Sequence, residues 1–171
     1  MKKHYTQKAL MCLILVTSLL TLSQHSTAQS TLRIELKEIN GEYYTLDDLK
    51  GGELTVVDFW ATWCKPCVKS IPKLVELSHQ YEKEEVAFVG INVDSPRNLA
   101  KVRPFSKSLK IDYSVLLDTD QALYNELLVS VLPTVLILDS EGKVLFTHEG
   151  YTHGDEEYLK KKINELLEEN E

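Results

Sequence analysis

The sequence predicts an α/β fold, a mixed central sheet flanked by helices on both faces, and three observations predict it. Leu54 to Ala61 and Val86 to Val93 are nearly continuous apolar runs, as strands covered on both faces require. Segments with helical apolar spacing separate such runs, the clearest carrying Val68, Ile71, Leu74, Val75, Leu77 and Tyr81. After Leu138 the strand–helix alternation gives way to a hairpin and a last helix, so the sheet should be mixed and mostly parallel.

The elements follow in order. Leu32 to Lys37 alternates apolar and polar residues, Asn40-Gly41 is a strong turn, and Glu42 to Leu46 follows, which predicts an N-terminal β-hairpin. Gly51-Gly52 punctuates before the first buried strand. Pro72 lies inside the helix that follows and should kink it. Ser95-Pro96 opens a helix running to about Leu109, although Pro104 leaves two short helical pieces equally open. Val115 to Leu117 is a short strand, and Asp118 or Thr119 is placed to cap a helix ending near Leu128. Thr134 to Asp139 and Lys143 to Glu149 are strands joined by Ser140-Glu141-Gly142. The last helix starts around Asp155 with acids in its first turn, and Lys160 to Lys162 read as its solvated face.

Composition narrows the function classes. The 171 residues amount to about one domain, 43% hydrophobic and 26% charged, which is globular and excludes a disordered chain. No internal repeat is present, so a solenoid or propeller is excluded. Residues 1–28 have the layout of a secretory signal peptide: Lys2, Lys3 and Lys8, an apolar run from Ala9 to Leu22, and small residues Ser26 and Ala28 before a cleavage point at Gln29. The run is shorter than the roughly 20 residues of a membrane span, and Cys12 does not fit lipid attachment. Residues 29–171 then form a single exported domain without membrane insertion, in the periplasm; a retained anchor facing that compartment is the alternative. The net charge of −7 becomes more negative once the three lysines are removed, which opposes binding to nucleic acid or an anionic membrane.

Cysteine usage is more telling, because only Cys64 and Cys67 remain in the mature chain. A structural disulfide across Cys64-Lys65-Pro66-Cys67 would close too short a loop to remove much unfolded-state entropy. Zinc needs four ligands and no second Cys pair exists, with His148 and His153 far beyond finger spacing, so no metal site is expected. Haem attachment needs His after the second Cys, and Val68 stands there. A redox-active dithiol remains. The motif follows a strand and opens a helix, whose unpaired N–H groups and positive dipole end favour a thiolate. Cys64 is expected to be the exposed, low-pKa sulfur that attacks a substrate disulfide. Cys67, one turn deeper, would resolve the mixed disulfide. Lys65 adds a minor positive charge, and Pro66 fits the first helical turn. Sulfur carries both electrons, so no bound cofactor is needed.

Val56-Val57-Asp58-Phe59-Trp60-Ala61-Thr62-Trp63-Cys64-Lys65-Pro66-Cys67 resembles the active-site strand and motif of the thioredoxin superfamily. The wider pattern is similar to its exported TlpA/ResA-type branch. It includes Leu49-Lys50-Gly51-Gly52, Gly90-Ile91-Asn92-Val93-Asp94, a central insertion leading to Leu116-Leu117-Asp118, then Leu132-Pro133-Thr134 and Asp139-Ser140-Glu141-Gly142-Lys143. The resemblance covers about residues 32–168 and implies a thioredoxin-like fold and a thiol–disulfide oxidoreductase. It implies that Pro133 is a cis-proline facing the dithiol, leaving the backbone of Leu132 free to pair with an extended substrate. It implies that Trp63 walls the substrate groove and that Asp58 is a buried acid handling the proton of the second cysteine. Ser70 stands where this branch often carries an acid, and His79 is read as a surface histidine. The implied partners are client proteins with disulfides or thiols, for example apocytochrome c before haem attachment, and a membrane electron donor of DsbD type. A disulfide oxidase or isomerase is the alternative. A thiol peroxidase is a weaker rival, since Thr62 lies only two residues before Cys64 instead of three. A copper- or zinc-binding carrier is the other.

Overall fold

A computed structural model describes residues 33–82 and 85–170. The expected signal peptide and its cleavage point lie outside these residues. The strands are β1 (Leu36–Glu38), β2 (Tyr43–Tyr44), β3 (Leu54–Trp60), β4 (Val86–Asn92), β5 (Ser114–Leu117), β6 (Thr134–Asp139) and β7 (Val144–Glu149). The helices are α1 (Leu46–Leu49), α2 (Lys65–Ser78), α3 (Leu99–Ser108), α4 (Ala122–Glu126) and α5 (Asp155–Asn170).

All seven strands join one sheet in the order β2-β1-β5-β4-β3-β6-β7. The pairs β3/β4 and β4/β5 are parallel, while β1/β2, β1/β5, β3/β6 and β6/β7 are antiparallel. The sheet is therefore mixed but not mostly parallel. Helical crossovers join only the central strands, and the hairpins at both ends of the chain add antiparallel partners. β3 and β4 are buried at every position, which is why their sequences show no alternation.

Two apolar clusters hold the layers together. Leu54, Val56, Phe88, Val135 and Ile137 pack with Leu74 and Leu77 of α2 and with Leu159, Ile163 and Leu166 of α5. Val57, Phe59, Val89, Ile91, Leu136 and Leu138 belong to the other cluster with Leu46 of α1 and Leu123 of α4, and this cluster continues through Trp60 to Cys67 and Ile71.

Several local expectations are corrected. The hairpin strands are shorter than the alternation suggested, three and two residues. α2 begins at Lys65, as a helix opened by the cysteine motif should, and contains Pro72. Pro96–Asn98 form a 3-10 turn, after which α3 is one helix containing Pro104. α4 is only five residues long, and its N-cap position is Gln121, not Asp118 or Thr119. Asp118 nevertheless reaches forward: its carboxylate accepts from Leu123 N (3.3 Å) and Tyr124 N (2.8 Å), satisfying donors of the first turn.

The entry into β3 depends on close backbone approach. Glu53 N and Leu54 N both donate to Glu85 O, at 3.0 and 3.1 Å. Gly51 N donates to Thr55 Oγ1 at 3.1 Å. A Cβ on Gly51 would collide with Leu54 O and stand 2.6 Å from Ala87 N and 2.8 Å from Glu85 O, all backbone atoms that cannot swing away. Gly51→Ala should therefore destabilise the protein by at least about 2 kcal/mol, read as a lower denaturant midpoint with an unchanged slope.

Candidate active site

β3 delivers the chain to α2 through Ala61–Cys64, and this loop is clamped. Thr62 donates twice to Asp94, from its N–H to Oδ2 (2.7 Å) and from its hydroxyl to Oδ1 (2.8 Å). Asp94 is fully buried and also accepts from Asn92 Nδ2 at 2.9 Å. Val93 N donates to Trp60 O at 3.0 Å, so the strand ends are fastened together where the motif starts. The sequence marks Asn92-Val93-Asp94 as a segment but carries no local signal for this clamp, because its bonds to Thr62 span 32 residues of chain.

Cys64 is the N-cap of α2 and is disulfide-bonded to Cys67, with Cα atoms 5.3 Å apart. Cys64 Sγ accepts from Cys67 N at 3.2 Å, and Cys64 N donates to Ala61 O at 3.1 Å. A sulfur thus takes the place that a Ser or Asp oxygen usually holds at a helix start. Pro66 falls in the first turn, where no N–H is needed. Cys67 is completely buried, as its depth in the helix requires. Cys64 differs from expectation: it is only 4% exposed, while its neighbour Trp63 is 62% exposed. In the disulfide state the first sulfur is held close against the apolar core instead of standing open.

Asp58 is buried on β3, with Gly90 and Val135 opposite it on the flanking strands. Neither carboxylate oxygen has a hydrogen-bond partner. Burial pushes its pKa up to about 7, because nothing compensates the loss of hydration. Ser70, also buried, donates from Oγ to Cys67 O at 3.2 Å and brings no charge. His79 is on the surface, paired with Asp112 at 2.6 Å.

The other wall comes from the segment before β6. Phe59 pairs with Thr134, so Leu132 and Pro133 lie beside the end of β3 from which the cysteine motif departs. The Leu132–Pro133 peptide is cis. Pro133 O accepts from Gly150 N at 2.8 Å and Thr134 Oγ1 donates to Val131 O at 2.7 Å, which fixes the segment on both sides. Among the described residues no hydrogen bond uses the backbone N–H or C=O of Leu132. Val131 and Trp63 are both large apolar side chains open to solvent. Among the described residues no group of three or more His, Cys, Asp or Glu is placed to hold a metal ion.

A dithiol pair at a helix start, set at the end of the central strand of such a sheet, defines a thioredoxin-like protein. The chain belongs to the AhpC/TSA family, which matches residues 28–147. It is similar to the thiol-disulfide oxidoreductase ResA of Bacillus subtilis strain 168, 36% identical over 110 residues, 64% of this chain and 60% of that protein. ResA of Bacillus thuringiensis subsp. konkukian strain 97-27 is 32% identical over 126 residues, 72% of this chain and 71% of that one. The matched segments thus span less than two thirds of some of these relatives. Among solved structures, a putative thiol:disulfide interchange protein DsbE from Chlorobium tepidum superposes with a TM-score of 0.71 at 28% identity, covering 78% of this chain and 92% of that one.

The state of Asp58 has a consequence for stability. The folded protein holds the Asp58 proton up to about pH 7, whereas an ordinary aspartate gives it up near 3.8. Between those values the unfolded chain binds fewer protons than the native one, so stability falls as pH rises through the window and levels off above it. The loss is of order 4 kcal/mol. Asp58→Asn should flatten this slope and be more stable than the parent at pH 8 by about 2 kcal/mol or more, measured by denaturant unfolding of the oxidised protein across pH 4–8.

Proposed function

We propose that the protein is an exported thiol–disulfide oxidoreductase that reduces disulfides in client proteins, and the observation that carries this reading is the Cys64–Cys67 disulfide at the start of α2. In the reduced enzyme Cys64 thiolate attacks a client disulfide, forming a mixed disulfide and releasing one client thiolate. Cys67 thiolate then attacks Cys64 Sγ, closing the Cys64–Cys67 disulfide and releasing the second client thiolate. Two electrons pass to the client. Asp58 is the acceptor for the proton that Cys67 must lose, since a carboxyl titrating near neutrality matches that task. The client lies extended against Leu132, whose free N–H and C=O offer two backbone hydrogen bonds, with Trp63 and Pro133 lining its sides.

Residues 1–28 serve as the signal peptide and 29–171 as the working domain in the periplasm, where apocytochrome c cysteines awaiting haem are fitting clients. Clients there form disulfides readily, so the enzyme must be returned to the dithiol by a membrane electron donor of DsbD type. The peroxidase reading is disfavoured by Thr62, whose hydroxyl and N–H are both committed to Asp94 and not directed to a peroxide at Cys64.

Cys67→Ser should accumulate mixed disulfides through Cys64 when incubated with a disulfide-bonded client, seen as a mass increase reversible by dithiothreitol, whereas Cys64→Ser should form none. Trapping through Cys67 alone would refute the assignment of attacking sulfur. The reduction potential of the couple separates the two directions of electron flow. Thioredoxin lies near about −270 mV and protein disulfide isomerase near about −180 mV. A value close to the first is expected, and one at or above the second would make the protein an oxidase or isomerase with the same site.

A further inference from the structure

Asp58 is not the only orphaned polar group in its neighbourhood. Among the described residues the buried side-chain N and O atoms without a hydrogen-bond partner are Asp58 Oδ1 and Oδ2, Trp60 Nε1 and Tyr113 Oη. These are two acceptors and two donors, and leaving each unmade costs about 1–3 kcal/mol, so their grouping requires an explanation.

The register places all three side chains around one gap. Asp58 and Trp60 are two apart on β3 and point to the same face. Gly90 is the β4 residue opposite Asp58, and Val115, two residues after Tyr113, pairs with Gly90. A Cβ on Gly90 would stand 3.1 Å from Trp60 Nε1 and 3.4 Å from both Tyr113 Cε2 and Val115 Cγ2. The indole N–H and the phenol ring therefore converge on the space where β4 carries no side chain, directly across from the carboxyl. The Tyr113 ring is held there by Phe88, with centroids 6.2 Å apart.

We propose that Tyr113 and Trp60 are positioning residues for Asp58: the phenol O–H and the indole N–H are the hydrogen-bond donors of its carboxylate, reached across the space that Gly90 leaves in β4. The link is closed by a small side-chain rotation or by one internal water, and both arrangements put the same two donors on the same carboxylate. Donors to the ionised form stabilise it, so the pair opposes the effect of burial and brings the Asp58 midpoint below where burial alone would set it.

Electrostatics agrees with the placement. The Tyr113 phenol is raised well above its ordinary value, first by burial and then by Asp58 and Asp112, which puts it within the field of the carboxylate. The other elements on this face add little charge. β4 has no ionisable residue from Val86 to Asn92, and β6 has only Asp139 at its far end. The charged residues of α2 (Lys65, Lys69, Lys73, Glu76) and those of α5 are exposed or half-exposed, which leaves the Tyr113 hydroxyl as the buried titratable neighbour of Asp58 in the oxidised protein.

The consequence for turnover rests on the proton-acceptor role proposed for Asp58; the hydrogen bonds themselves do not. The test is a carbon-13 NMR titration of the Asp58 carboxyl in the oxidised protein, where neither sulfur titrates. Tyr113→Phe keeps the ring and removes the hydroxyl, and should move the Asp58 midpoint up by about 0.5–1 pH unit. Tyr124→Phe, at a ring packed against Phe59 on the other face, should leave it in place. Gly90→Ala puts a methyl into the gap and should shift the midpoint in the same direction as Tyr113→Phe, which keeps the question answerable if one variant folds poorly. An unchanged midpoint in Tyr113→Phe and Gly90→Ala overturns the inference. If the midpoint moves but Asp58→Asn leaves the pH dependence of turnover unaltered, the donors stand and the proton-acceptor role falls.

Discussion

The N–H of Cys67 donates to the sulfur of Cys64, and this one contact at the first turn of α2 joins the redox pair to the fold. It fixes where the helix begins, because a sulfur accepts what a capping oxygen would otherwise accept. It also aligns the positive end of a fourteen-residue helix with that sulfur, so the attraction that steadies a thiolate comes from backbone dipoles. Cys64 can stay there because the preceding loop is held by Asp94 and Asn92 at the end of β4. Strand pairing thereby determines the chemistry of a side chain that belongs to neither strand.

The same strand carries an expensive exception. A position fully enclosed between helix and sheet layers favours an apolar residue, yet β3 holds an aspartate with no partner of its own. Its burial makes the proton hard to remove, which is unfavourable for stability at neutral pH. A stability penalty of this kind, on the strand that leads into the cysteine motif, is the pattern expected where function, not folding, selects a residue.

Much of this was legible in the sequence. Continuous apolar runs revealed β3 and β4, the helical spacing after Cys67 revealed α2, and the CxxC motif revealed the dithiol, because each is a local signal. What escaped depends on partners distant in the chain. The predominance of antiparallel pairs follows from which strands the hairpins join, and local patterning does not encode it. The burial of Cys64 follows from tertiary packing around the disulfide, which a motif cannot express. Asp118 was expected at a cap position and acts from further back, since a left-handed Gln121 intervenes. Trp60 and Gly90 stand in the sequence only as members of two separate motifs, and nothing local singles out Tyr113. Only the parallel register of three strands brings them together.

Asp58 and Ser70 together decide where the fold keeps a buried ionisable group. In the branch the sequence resembles, an acid is often carried on the helix after the cysteines, and here that position holds a serine committed to the carbonyl of Cys67. The ionisable group sits instead on the strand. An acid on a helix moves with that helix and keeps its distance from the sulfurs only as well as the helix keeps its position. An acid in the middle of a seven-stranded sheet is fixed by ladders on both sides, through Gly90 and Val135. The strand site also removes the carboxyl from water more completely, so its titration answers to the few groups packed around it. A carboxyl placed this way is tuned by packing, and under the proton-acceptor role proposed above a change in β4 or at Tyr113 that never touches a cysteine alters how the pair responds to pH.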